Sequence, residues 1–260
     1  MEVEFGGFLL LVSLSIIAAL YASVGHGGAS GYLAVLSLTI YATKDPIWLK
    51  QHVWSLNLIV ASIAFFTYKS SGFFSWKLTI PFIVASIPAA MIGGYLKIDN
   101  GVYDTLLSIT LVFASWKLLT TKRTDSEEVF VSPPTMKISI VVGIIIGLLS
   151  GIIGVGGGIF LSPIILLFGW SDAKTAAGVA AAFIWVNSAS GMVGSSLSGE
   201  LLLEFDFLLP LGAAVVIGGL IGSKIGSDVL SQKTVRILLA SVLIIAALKR
   251  ILDLVGGLIN

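Results

Sequence analysis

Apolar residues come in long unbroken runs along this chain, with short polar gaps between them. The runs cover about 5–23, 29–43, 46–69, 76–97 and 102–121, then 137–153, 158–170, 173–196, 204–226 and 232–253. Most approach or exceed the roughly 20 residues that carry a helix across about 30 Å of hydrocarbon. None alternates at every second residue, as a membrane β-barrel requires. The pattern predicts an all-α polytopic membrane protein. One long polar stretch, TKRTDSEEVFVSPPTMK, interrupts it, and Pro133–Pro134 keep that stretch from being helical.

The two sets of five runs correspond. A shift of 129 positions lays Gly25, Gly27 and Gly28 on Gly154, Gly156 and Gly157, Pro81 on Pro210, and Gly93 on Gly222. With small slips Asn57 meets Asn187, SSGFF around Gly72 meets LSGEL around Gly199, and Lys117 meets Lys249. The chain reads as two homologous repeats, 1–122 and 137–260, joined by a linker over 123–136. Duplications of this kind build many secondary transporters. The second run of each half is short: residues 158–170 would rise only about 20 Å as a helix. Each repeat is therefore expected to hold a glycine-broken helix with a short half-helix, plus three further transmembrane helices. Short, glycine-interrupted segments at matching positions of two halves point to a transporter's binding site.

Lys and Arg in short loops orient such a chain. Lys122, Arg123 and Lys137 place the linker in the cytoplasm. If the first two runs of a half together return the chain to its starting side, the acidic 200–206 loop and the acidic amino terminus lie outside. The loops holding Lys69 and Lys77, and Lys233 and Arg236, then lie inside. If the pair instead makes one crossing, the acidic loop falls inside. The first arrangement fits the charges better, with Lys44, Lys50 and Lys249–Arg250 running against it. It implies inverted repeats.

Glycines occur in two settings. Gly143, Gly147 and Gly151, like Gly218, Gly222 and Gly226, recur every fourth residue, the small-residue spacing that lets helices pack closely in lipid. GIIGVGGG, residues 151–158, loosely matches a dinucleotide-binding pattern, but its flanks are apolar helix rather than a strand and a soluble helix. Gly154 and Gly156–Gly158 read as a broken helix. Broken backbone at membrane depth is tolerated only where protein or a water-filled cavity satisfies it. A helix that starts after the break aims its N-terminus, about half a positive charge, at that cavity. Free N–H groups and that dipole together make an anion site without an arginine. Gly25-His26-Gly27-Gly28 would supply a second N-terminus facing the first.

The duplicated glycine motif, with GVGGGIFLSPIILLFG after an apolar helix, resembles the sulfite exporter TauE/SafE family, also called the toluene sulfonate uptake permease family. The resemblance covers essentially the whole chain and rests on Gly154-x-Gly-Gly-Gly158 followed by Pro163. The first half departs, with His26 inside the motif and Ala29 in place of a third glycine. The resemblance implies transport of sulfur-containing and related organic anions such as sulfite, sulfonates and thiosulfate.

Other polar residues fall inside apolar runs. The third runs carry Trp54, Ser55 and Asn57 in one half and Trp185, Asn187 and Ser188 in the other. Asn and Ser can donate to anion oxygens, or can bond helix to helix; the tryptophans fit a cavity wall or an interfacial belt. The expected substrate contacts are therefore Gly25, His26, Gly27, Gly28, Trp54, Ser55, Asn57, Gly154, Gly156, Gly157, Gly158, Trp185, Asn187 and Ser188. His26 is also the candidate for a coupling proton, since imidazole titrates near neutrality; a structural histidine is the alternative. His52, close to a run's end, reads as interfacial.

Composition narrows the classes. Only 11% of residues are charged, mean hydropathy is +1.04 and net charge is +1; no attraction to nucleic acid follows. The absence of cysteine rules out thiolate chemistry and disulfides. No Asp, Glu and His grouping suggests catalysis or a metal, so no enzyme activity and no cofactor are expected. The partners expected are a small anionic substrate and the lipid bilayer, and a homodimer is compatible. The remaining alternatives are an anion channel, a haem-binding membrane protein on the two histidines, and a scaffold subunit.

With no native cysteine, single cysteines report sidedness directly. In intact cells Gly199→Cys should react with an impermeant thiol reagent and Ser126→Cys should not. Equal labelling of both from outside would remove the inverted arrangement.

Overall fold

The computed structural model describes residues 2–36, 39–96, 132–199 and 201–235, with isolated positions as far as 252. The run 102–121 and most of the linker lie outside the described residues. Every described element is helical: α1 (Glu2–Ala22), α2 (Ala29–Leu36), α3 (Pro46–Ser70), α4 (Trp76–Tyr95), α5 (Met136–Ile153), α6 (Gly158–Leu167), α7 (Ala173–Leu197) and α8 (Phe205–Lys224). A π-helical turn, Ile225–Val229, extends α8. Helices α4, α5 and α7, and α8 with its π turn, are long and apolar enough to cross a membrane.

The starts of the long helices follow from local chemistry. Asp45 accepts the Ile47 N–H at 2.7 Å and Pro46 opens α3. Asp172 accepts the Thr175 N–H at 3.0 Å at the start of α7. The half-helices are shorter than their apolar runs suggested. α2 has eight residues and α6 ten, about 12 and 15 Å of rise. A 3₁₀ turn, Ile40–Thr43, takes up the rest of the first short run.

Helices of one half pack against helices of the other. Gly143, Gly147 and Gly151 of α5 stand against the carbonyls of Phe82, Ser86 and Ala90 of α4, so α4 and α5 run parallel. Gly218 and Gly222 of α8, and Gly226 of the π turn, stand in the same way on Ser15, Ala19 and Ser23, so α1 and α8 run parallel. The small-residue spacing thus does what lipid packing asks of it: backbones touch. Gly93 meets the Leu148 carbonyl and Gly222 the Ala19 carbonyl, and the register that pairs the two glycines also pairs Ala19 with Leu148.

Helices α3 and α7 form the centre. Gln51 bonds Ser195, Asn57 approaches Ser188, and Phe73 just beyond α3 covers Gly178. The numbers rise on one helix as they fall on the other, so α3 and α7 are antiparallel. α8 runs along α3 in the same direction, with Gly212 near Ile59, Gly219 near Ile63 and Ser223 bonded to Thr67. Since α3 and α4 are joined by the short turn 71–75, α1, α3 and α8 point one way and α4, α5 and α7 the other.

The Gly222 contact gives a direct test of packing. Any Cβ there would overlap the Ala19 carbonyl, whereas one at Gly7 would meet nothing within 4 Å. Gly222→Leu should destabilise by about 1–3 kcal/mol or more, as overpacking does, and lower the thermal midpoint in detergent. Gly7→Leu should leave it unchanged.

Candidate functional site

The two glycine motifs are breaks at the ends of α1 and α5. The α1 end is closed by the His26 N–H on the Tyr21 carbonyl at 2.8 Å and the Gly25 N–H on Ala22 at 3.0 Å, with Gly25 left-handed at φ 74°. The α5 end is closed by the Gly154 N–H on Ser150 at 2.8 Å, with Gly154 at φ 86°. The chain then turns back into the half-helix through left-handed Gly28 in the first break and through left-handed Gly156 and Gly157 in the second. Against α1, α2 is antiparallel: Gly31 meets Ile17 and Ser30 bonds the Tyr21 hydroxyl at 2.8 Å. The first two runs of this half therefore do return the chain toward its starting side.

The breaks meet at Asn57, near the middle of α3. A Cβ on Gly27 would strike the Asn57 carboxamide, and one on Gly156 would lie 3.0 Å from Asn57 Nδ2 and 2.9 Å from Ser188 Oγ. Asn57 itself is fully buried, and its Nδ2 reaches Ser188 Oγ only at 3.5 Å. That is the outer limit of a hydrogen bond. His26 Nε2 lies 3.0 Å from Ser162 Oγ on α6, tying the first break to the second half-helix. The α6 N-cap is Gly157, and no side chain caps that helix start. Its first N–H groups have no partner within the helix.

Several buried polar atoms here lack partners: His26 Nδ1, Asn57 Oδ1, Asn187 Oδ1, Ser150 Oγ, Tyr32 OH and Trp54 Nε1. A buried polar group without a partner costs about 1–3 kcal/mol. His26 lies within a break, and Tyr32, Asn57 and Ser150 stand beside Gly28, Gly27 and Gly157 of the breaks. The carboxamides of Asn57 and Asn187 can each turn either their oxygen or their two N–H groups to a ligand.

The expected site residues divide. Gly25, His26, Gly27, Gly28, Asn57, Gly154, Gly156, Gly157, Gly158 and Ser188 come together around the breaks. Asn187 is fully buried on the same helix, with Nδ2 donating to the Phe183 carbonyl at 2.8 Å. Trp54 is fully buried against Gly191. Ser55 donates to the Gln51 carbonyl of its own helix at 2.9 Å. Trp185 stands apart: it is 37% exposed and stacks on Phe65 with ring centres 5.9 Å apart. Ile184 and Ser188 of the same helix, rather than Trp185, line Gly156.

His52, near the end of its run, is fully buried, beneath the loop before α8. Its Nε2 accepts the Glu204 N–H at 2.9 Å, which leaves the ring proton on Nδ1, facing the Trp48 carbonyl at 2.7 Å. Leu202 donates to Gln51 Oε1 at 2.7 Å. The Glu204 carboxylate takes Lys44 at 3.1 Å and Trp48 Nε1 at 2.8 Å. These two donors hold its carboxyl below the ordinary glutamate range. The loop before α8 is thus latched onto the start of α3. The other end of the bundle has its own ties: Lys174 Nζ to the Ser227 carbonyl at 2.7 Å and Ser71 to Asp228 at 2.7 Å.

A bundle of membrane-length helices with two half-helices meeting at its centre is the build of a membrane transporter. The chain belongs to the sulfite exporter TauE/SafE family, whose model matches residues 9–250. It is similar to the probable membrane transporter protein y4hK of Sinorhizobium fredii, with 33% identity over 92% of this chain and 96% of the relative. It is also similar to the probable membrane transporter protein YunE of Bacillus subtilis, with 26% identity over 92% of this chain and 95% of the relative. No solved structure matches.

Proposed function

We propose that this protein is a secondary transporter of sulfur-containing or related organic anions in the cell membrane, and that it binds its anion near mid-depth between the two glycine breaks. The observation that carries the reading is the convergence of both breaks on Asn57, midway along the central helix, among buried polar atoms without partners. Two helix N-termini, each worth about half a positive charge, open toward this point. The family's name adds the sulfur oxyanion class. Dipoles and neutral amides can hold an anion at the breaks and release it again.

The two halves are inverted repeats on this reading, with the acidic loop outside. The antiparallel α3 and α7 support it. So does Lys44, whose position ran against the charge rule: its partner is Glu204 of that same loop.

Gly27→Ala tests the site. Gly27 is not left-handed, so alanine adds a methyl group against Asn57 with no backbone strain. Anion affinity in the folded variant should fall about tenfold or more, roughly 1.4 kcal/mol. Asn187→Ala should cost about 1–3 kcal/mol of binding if its amide serves an anion oxygen. Unaltered binding and flux in proteoliposomes for folded Gly27→Ala would mean that the breaks only shape the fold.

His26 is the proposed carrier of a coupling proton, being the titratable side chain inside a break with one ring nitrogen unpartnered. His26→Gln should bind the anion but lose the pH dependence of uptake. A pH profile unchanged from wild type would assign His26 to structure, through Ser162.

A further inference from the structure

Gly25 of the first break stands against the backbone of Ala177, one turn into α7. Gly154 of the second break stands instead against the side chain of Lys50, one turn into α3, whose Cγ would lie 2.9 Å from a Cβ at Gly154. The aliphatic stem fills the space beside Gly154, and an uncharged side chain of the same length would fill it as well. Among the described residues whose side chains stand nearest the glycines of the two breaks, Lys50 carries a charge.

Its described partners are a backbone carbonyl and an aromatic ring. Lys50 Nζ donates to the Ile152 carbonyl, at the C-terminus of α5, at 3.1 Å and stands 5.5 Å from the Trp54 ring. Among the described residues, no carboxylate forms an ion pair with it. A carbonyl at a helix end and an aromatic face hold an ammonium through partial charges only. Lys50 and Asn57 are seven positions apart, two turns along one face of α3, and the second break runs between them, with Gly154 at Lys50 and Gly156 at Asn57.

We infer that Lys50 is the residue that sets the charge selectivity of this site, and that the site takes a doubly charged anion, such as thiosulfate or a sulfonate bearing a carboxylate, in preference to a singly charged one. The inference rests on the anion site proposed above. The two helix N-termini at the breaks are offset by the two helix C-termini that end there, so the full positive charge comes from Lys50, and its attraction for a dianion is about twice that for a monoanion at the same distance. The Ile152 carbonyl holds the ammonium when the site is empty of anion. The three donors of the ammonium allow it to turn from that carbonyl to an anion oxygen by rotation of its stem.

The test compares thiosulfate or sulfoacetate with methanesulfonate, in binding to purified protein and in proteoliposome uptake. Lys50→Met keeps the aliphatic stem against Gly154 and removes the charge; Lys50→Gln is a second neutral variant, and Lys50→Arg restores the charge. Folding is checked by thermal unfolding. The neutral variants should raise the KM for the dianion about tenfold or more, as loss of a nearby full charge does, with kcat and the methanesulfonate KM changed less than about threefold. Lys50→Arg should return the preference. Equal losses for both anions, or unchanged preference in either folded neutral variant, would overturn the assignment of Lys50. Failure of the anion site itself is read separately, from Gly27→Ala, which should weaken both anions alike.

Discussion

A helix cannot stop at mid-depth in a membrane unless protein closes over its loose ends, because hydrocarbon offers no partner to a bare N–H or carbonyl. This constraint organises the molecule. α1 and α5 both end inside the bundle, and both ends are closed by glycines that fold the last N–H groups back onto the helix. What the glycines leave over is covered by the other half. Ala177 of α7 backs Gly25, Lys50 of α3 backs Gly154, and Ser162 of α6 reaches His26. The central position of α3 and α7 follows, since only helices at the core can wall both breaks. α3 carries Gln51, His52 and Asn57 with no exposure at all. Such a helix is too polar to face lipid and is shielded by α7 and α8.

Much of this was legible in the chain. Run length gave helices and membrane depth. The fourfold glycine spacing marked the α4–α5 and α1–α8 contacts, because backbone contact between helices demands that spacing. The glycine clusters marked both breaks, since consecutive left-handed positions exclude most other residues.

The rest depended on contacts between residues far apart in sequence. Trp185 looked equivalent to Trp54, yet a one-residue slip in register turns a helical side chain by about 100°, and it faces out. His52 was visible only as a histidine near a run's end. Its burial comes from a loop some 150 residues later, which no local pattern reports. Lys50 was visible as a charge running against the expected orientation. An ionisable residue in an apolar run is a functional candidate in its own right.

The exchange of walls between the halves also bears on how the protein is made. The first half cannot finish its own break: the backing of Gly25 and the partner of His26 both belong to helices that emerge from the ribosome much later. Until α6 and α7 arrive, the turn at Gly25–Gly28 carries backbone and imidazole that lipid cannot satisfy. The early helices must therefore wait beside the insertion machinery, or in some water-accessible niche, rather than settle into lipid one after another. The wall of the first break is complete only when the second half has closed over it.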